Sequence, residues 1–150
     1  TPNQFLWKKT MSEKNFWTLL RKNLPLKMYR VENKASTGMP DVHFVSEEGL
    51  SGWVELKFIA KFPQRQMTTG LKKHQAMWLE EYSKYGKAWV LIRIGTDWTG
   101  LFSGEAAQEL FARPSKSDFC DLAAWSKHGN LTKGDYLQLS EILCKGSRYG

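Results

Sequence analysis

A chain of mixed α and β class is what this 150-residue sequence predicts, on three observations. Residues 12–24 and 71–85 carry apolar side chains at helical intervals of three and four. Residues 41–45 and 52–58 alternate with a period of two, the mark of half-buried strands. Residues 87–94, Lys-Ala-Trp-Val-Leu-Ile-Arg-Ile, are largely apolar at every position, as befits a strand covered by helices.

In chain order, Ser12 caps the first helix, Glu13 suits its first turn and Pro25 follows its end. Glu13, Trp17, Leu20 and Leu24 fall on one stripe, which puts Glu13 at the edge of the inward face and makes it a candidate site residue. Residues 27–32 can form a first strand, and residues 33–38 a polar loop. Residues 61–69, polar, basic and containing Pro63, form a loop able to close over a ligand or touch its backbone. On the second helix Leu71, Gln75, Trp78, Tyr82 and Tyr85 share a stripe. Gln75 is its polar anomaly, and a buried amide needs partners, so it is expected to point into the site. Gly86 then ends that helix as a left-handed cap. Residues 104–112 and 118–125 read as short helices. Residues 136–139 have a weak strand signal and 140–143 a weak helix signal.

The chemistry concentrates in Gly38-Met39-Pro40-Asp41 and Glu55-Leu56-Lys57. Trp53, Glu55 and Lys57 share one face of their strand; Asp41 and His43 share one face of theirs. A hairpin folded about Gly49 sets Asp41 opposite Lys57 and diagonal to Glu55, within reach of a shared ion. Two carboxylates so placed repel unless a cation separates them, and a hard divalent metal suits their oxygens. Pro-Asp also commonly starts a strand, and Glu-x-Lys is often a solvated face. Together, with an apolar face on each strand to fix register, they point to function.

Charge supports the same region. Residues 1–100 hold 16 Lys/Arg against 9 Asp/Glu, and residues 101–150 hold six of each, so the net charge of +7 lies wholly in the half with the carboxylates. From Leu56 to Leu79 there is no acidic residue, while Lys57, Lys61, Arg65, Lys72 and Lys73 all fall there. Cations beside a carboxylate pair suit a polyanion such as nucleic acid.

Other chemistries find little support. His43, His74 and His128 make no zinc spacing with one another or with Cys120 and Cys144, which read as reduced thiols in a cytoplasmic, non-secreted protein. There is neither a Walker A loop nor Gly-x-Ser-x-Gly, so no nucleotide cofactor or serine hydrolase is expected, and no apolar run suits a membrane helix. The seven tryptophans are core candidates first; Trp53, on the Glu55 face, is the one placed to meet a base.

The ordered set of Glu13 on a helix, Gly38-Met39-Pro40-Asp41, Glu55-Leu56-Lys57, Leu71…Gln75…Trp78-Leu79, Gly86 and the strand 88–94 resembles the PD-(D/E)XK nuclease superfamily. Within it the chain looks most like the VRR-NUC and Holliday-junction-resolvase groups, although the signature that names the VRR group is not visible. The resemblance covers about residues 12–95, within one nuclease domain spanning 1–150 whose residues 100–150 form a variable extension. It implies a restriction-endonuclease-like core, a mixed central sheet flanked by helices. It implies Mg²⁺ or Mn²⁺ held by Asp41, Glu55 and the Leu56 carbonyl, with Lys57 orienting or deprotonating water or stabilising charge on the phosphate, and Glu13 and Gln75 completing the site.

The expected activity is metal-dependent hydrolysis of DNA phosphodiester bonds, on branched or junction DNA, by a homodimer in a bacterial or phage-infected cell, in DNA repair or recombination. Lys61, Arg65, Lys72 and Lys73 are the expected DNA contacts. The alternatives are a catalytically inactive nucleic-acid-binding module of the same fold, or a nuclease acting on RNA or on a specific DNA sequence.

Overall fold

The computed structural model describes residues 12–32 and 36–146. Residues 33–35, half of the loop expected at residues 33–38, therefore lie outside the described residues. Helix α1 (Glu13–Asn23) is capped by Ser12, whose hydroxyl accepts from the Asn15 N–H at 3.2 Å. Strands β1 (Lys27–Arg30), β2 (Val42–Val45) and β3 (Ser51–Ile59) form an antiparallel meander. Helix α2 (Lys73–Tyr82) then crosses over, so that β4 (Ala88–Ile94) pairs parallel with β3. Strand β5 (Trp98–Ser103) returns antiparallel to β4. After α3 (Ala107–Phe111) and α4 (Lys116–Leu122), β6 (Trp125–His128) adds to β5, and α5 (Lys133–Lys145) follows. The result is a mixed six-stranded sheet in the order β1-β2-β3-β4-β5-β6, flanked by helices, an α+β architecture.

Alternation divides the sheet into two faces. Val42, Phe44, Val54, Leu56 and Leu91 pack beneath α1, through Phe16, Leu20 and Leu24, and beneath α5, through Tyr136, Leu139 and Leu143. Val90, Ile92, Ile94 and Phe102 pack on the other side against Ala76 and Leu79 of α2, with Met67, Leu110 and Phe119. Every residue of β4 is buried, as the continuous apolar run requires. Among the described residues no helix is long and apolar enough to cross a membrane.

Several expectations fail for identifiable reasons. The segment 98–103 is β5, although its Thr and Gly conceal the pattern. Gly100 is required there because an added Cβ would fall 2.1 Å from the Trp98 ring. The helix expected at 118–125 starts at Lys116 and stops at Leu122, leaving Trp125 to open β6. Residues 136–139 are not a strand. They lie inside α5, whose start is fixed by Thr132 and Asp135, each side chain bonding the other's backbone N–H. Helix α2 is shorter than residues 71–85, and Tyr85 is 84% exposed instead of completing an inward stripe. Gly86 does not adopt the left-handed conformation; its lack of a Cβ accommodates the Tyr82 ring, 2.8 Å from where that carbon would sit. The loop at residues 61–69 is anchored: Met67 is fully buried, and its N–H donates to the Pro114 carbonyl at 2.8 Å.

Candidate active site

The β2–β3 hairpin turns through Glu47, Glu48 and Gly49, with the Gly49 N–H donating to the Ser46 carbonyl at 3.0 Å and Gly49 at φ +84°. A three-residue loop of this kind places the glycine at its last, left-handed position. The pairing is therefore Val42 with Val54 and His43 with Trp53, which brings Asp41 opposite Glu55, with Lys57 two residues further along. This corrects the expected register, in which Asp41 faced Lys57. The two registers differ by two residues and so keep the same side chains on the same faces. Burial cannot choose between them; the turn does.

Pairing at this end leaves the ladder and passes through side chains. The Asp41 N–H donates to Glu55 Oε1 at 3.2 Å, while the Asp41 carbonyl accepts from the Val31 N–H at 2.8 Å. Gln75 donates through Nε2 to Glu55 Oε2 at 3.0 Å, and its own Oε1 accepts the Lys72 N–H at 2.9 Å, capping the start of α2. The helical amide thus has a partner at each end, which answers the question its place on the stripe raised. Lys57 Nζ stands 3.2 Å from Glu55 Oε2. Asp41, Glu55, Lys57 and Gln75 are brought together on the α2 face of the sheet.

Gly38 explains why the preceding loop can deliver Asp41 there. It adopts φ +87°, and a Cβ on it would fall 2.2 Å from the His74 carbonyl oxygen. Loop and helix backbone are in contact, and only glycine permits both the conformation and the approach.

Glu55 is buried, its side chain 4% exposed. Burial, then hydrogen bonding and charge from Asp41, push its carboxyl from 4.5 up to about 8, against the opposing pull of Lys57. One oxygen of Asp41, Oδ1, is buried without a hydrogen-bond partner. Its other, Oδ2, lies 3.5 Å from the Arg30 guanidinium, which is itself held 5.0 Å from the centre of the Trp17 ring. Sequence patterning did not single out Arg30. The link depends on β1 lying beside β2, which alternation within residues 27–32 does not disclose.

Two adjoining carboxyls, one with an unsatisfied buried oxygen and the other holding its proton because burial and its neighbour disfavour the charge, become oxygen donors suited to a divalent cation once that proton is lost. Among the described residues no group of three or more His, Cys, Asp or Glu could hold a metal ion. A pair suffices for Mg²⁺, which retains several waters and binds through one or two carboxylates. Leu56 lies on β3 beyond the last residue paired with β2.

The remaining expected residues are placed less centrally. Glu13 is exposed, and no hydrogen bond or ion pair joins it to Asp41, Glu55 or Lys57. The buried stripe of α1 runs through Phe16, Leu20 and Leu24, on the opposite face of the sheet, with Trp17 half-buried. The helix is rotated from the expected stripe because Phe16, not Glu13, supplies its first inward contact. Lys61, Arg65, Lys72 and Lys73 are all exposed. Gly70, at φ +80°, lies beside the Lys57 stem; a Cβ there would be 4.0 Å from Lys57 Cδ. The two cysteines are free thiols.

No protein-family model matches the sequence, and no curated protein matches it. Among solved structures the chain is similar to Hjc, a Holliday junction resolvase from the archaeal hyperthermophile Archaeoglobus fulgidus. The identity is 16% and the TM-score 0.43, with 62% of this chain and 70% of that one covered.

Proposed function

We propose that this chain is a metal-dependent endonuclease of the PD-(D/E)XK type, hydrolysing phosphodiester bonds in DNA and acting on branched or junction DNA. The observation that carries the proposal is the convergence of Asp41 and Glu55, joined through the Asp41 N–H at 3.2 Å, with Lys57 Nζ 3.2 Å from Glu55 and one buried Asp41 oxygen left without a hydrogen-bond partner. Asp41, Glu55 and the Leu56 carbonyl would hold Mg²⁺ or Mn²⁺. When bound, such an ion supplies Lewis acidity and an activated water.

The chain's own groups do the remainder. Gln75 and the Asp41 N–H hold the Glu55 carboxyl in place, fixing where its oxygens point. Lys57 directs its ammonium at the phosphate, where negative charge grows as water oxygen bonds to phosphorus and the bond to the leaving oxygen breaks. The proton lost by the water ends on the departing alkoxide or in solvent. Lys61, Arg65, Lys72 and Lys73 neutralise neighbouring phosphates, which makes binding salt-dependent. The biological setting that fits is the cytoplasm of a bacterial or phage-infected cell, with a homodimer making paired cuts at a junction.

Purified protein is expected to cut four-way-junction or flap DNA with Mg²⁺ or Mn²⁺ but not in EDTA, and Asp41→Ala and Glu55→Ala to abolish cutting. Full activity in either variant refutes the site. A second reading is favoured by the cations already beside both acids, the Arg30 guanidinium 3.5 Å from Asp41 Oδ2 and Lys57 Nζ 3.2 Å from Glu55 Oε2. On that reading the chain is a nucleic-acid-binding module of the same fold without hydrolysis. Binding without cleavage, across DNA and RNA substrates and divalent metals, would support it.

A further inference from the structure

A row of aromatic rings lies beside the carboxylates and takes no part in the proposed hydrolysis. Trp53 precedes Glu55 by two residues on the same face of β3. Its ring lies 4.8 Å from His43 and meets Trp78 edge-on at 6.0 Å. Trp78 in turn stacks on Tyr82, with centroids 4.9 Å apart and planes inclined by 8°. The Trp78 indole N–H donates to Ser36 Oγ at 3.2 Å, tying the row to the loop that leads into Asp41. Trp53, Trp78 and Tyr82 are half-buried, while Met77 and Tyr85 project into solvent. Thr37, His74, Met77, Trp78, Tyr82 and Tyr85 line an open recess of about 440 Å³. Glu81 also lines it, its charge met by Lys84 at 2.9 Å.

Core packing accounts for Trp53, Trp78 and Tyr82, which touch the cluster beneath α2. It does not account for Tyr85 and Met77, which stand exposed beside them. We propose that the recess is a stacking platform for an unpaired nucleobase adjoining the phosphate whose bond is cut beside Asp41 and Glu55. This inference rests on the nuclease reading above.

Three features select a nucleotide as occupant. Gln75, bonded to Glu55, and Trp78 are separated by three residues on one helix, about 5–6 Å between Cβ atoms, so the rings begin within a nucleotide's reach of the carboxylates. The same helix opens with the exposed Lys72 and Lys73, whose charge suits a polyanionic backbone. Flat rings accept any base by its π-face, without sequence preference. Bases within an uninterrupted duplex are already stacked on their neighbours and offer no free face, whereas single strands, flaps and branch points do. The substrate class is therefore DNA with an unpaired residue next to the bond that is cut.

The test uses flap oligonucleotides carrying 2-aminopurine at successive unpaired positions near the branch, titrated with the intact protein in EDTA so that nothing turns over. At one position the fluorescence is expected to fall several-fold on binding. Replacing that base with an abasic residue should weaken binding about ten-fold or more. Tyr85→Ala, at a site too exposed to disturb folding, and Trp78→Leu, checked by circular dichroism, should weaken flap binding more than uninterrupted-duplex binding and blunt the abasic penalty. Flap binding that is indifferent to the abasic residue and to both variants overturns the platform while leaving the nuclease reading intact. Failure to bind any nucleic acid, in EDTA and again with Ca²⁺ in its place, overturns the reading beneath it. A dimer seen by light scattering that Tyr85→Ala dissociates makes the recess a contact between copies, and also overturns the proposal.

Discussion

Glu55→Gln in the metal-free protein tests the electrostatics of the site directly. A carboxyl raised from 4.5 to about 8 in the folded chain binds a proton more tightly than in the unfolded chain. Its contribution to stability is therefore greatest below pH 4.5 and is lost as pH climbs towards 8. At about 1.4 kcal/mol per pH unit the full loss is roughly 5 kcal/mol. Sharing of the proton with Asp41 reduces the figure for Glu55 alone to about 2–4 kcal/mol, a large part of a domain's typical 5–15 kcal/mol. Glutamine keeps an acceptor for the Asp41 N–H but turns its NH₂ towards Gln75 or Lys57, a mismatch of about 1–3 kcal/mol at every pH. Urea unfolding in EDTA from pH 5 to 8.5 should therefore show the variant less stable in acid and catching up with wild type as pH rises. The gap should narrow by about 2–4 kcal/mol across that range. A gap that is constant, or that widens with pH, would show that Glu55 is not held protonated by its surroundings. Adding Mg²⁺ to wild type should reverse the trend, because the ion binds only the ionised pair.

Arg30→Gln removes the cation paired with Asp41 and should raise Mg²⁺ affinity several-fold by calorimetry; an unchanged affinity would separate Arg30 from the metal site. Gly38→Ala forces a Cβ into the left-handed region 2.2 Å from the His74 carbonyl oxygen and should cost about 1–3 kcal/mol in denaturant midpoint, with weaker Mg²⁺ binding. Arg93 is buried on the far face, donating to the Gly95 and Gly129 carbonyls at 2.8 and 2.9 Å and to Thr99 Oγ1. Arg93→Met should lower stability by about 2–4 kcal/mol through three lost charge-assisted bonds, while Mg²⁺ affinity stays the same. Lys72→Ala and Lys73→Ala together should flatten the salt dependence of DNA binding by about two in logarithmic slope relative to wild type.

The sequence was most legible where a side-chain pattern and a turn agreed. The alternation of residues 41–45 and 52–58 specifies which faces meet, and the apolar run ending at Ile94 specifies a covered strand; both hold in the fold. Alternation defines register only to within two residues, so the partner of Asp41 depended on how Gly49 is used in the turn. Gln75 could be placed because its polarity was anomalous on its stripe. Glu13 was misplaced because the spacing of Trp17, Leu20 and Leu24 also admits the frame that buries Phe16. Arg30 and the Trp78–Tyr82 stack were hidden, since each depends on which elements become neighbours in space. β5 and β6 escaped notice because Thr99, Gly100 and Ser126 dilute their strand character, and only pairing of β5 with β4 and of β6 with β5 makes them a sheet.

Each strand of the sheet lies beside the one that precedes it in the chain. The sheet can therefore grow by accretion, and the contact between residues 41 and 55 closes a short local loop as soon as β3 has left the ribosome. The helix that later covers that corner, and the amide at position 75 with it, follows only after 15 or so further residues have been made. For that interval the carboxyl of residue 55 is in water and ionises freely. Its unusual proton affinity is acquired only when Asp41, the crossover helix and β4 together enclose it, so the chemistry of this corner is a product of its packing.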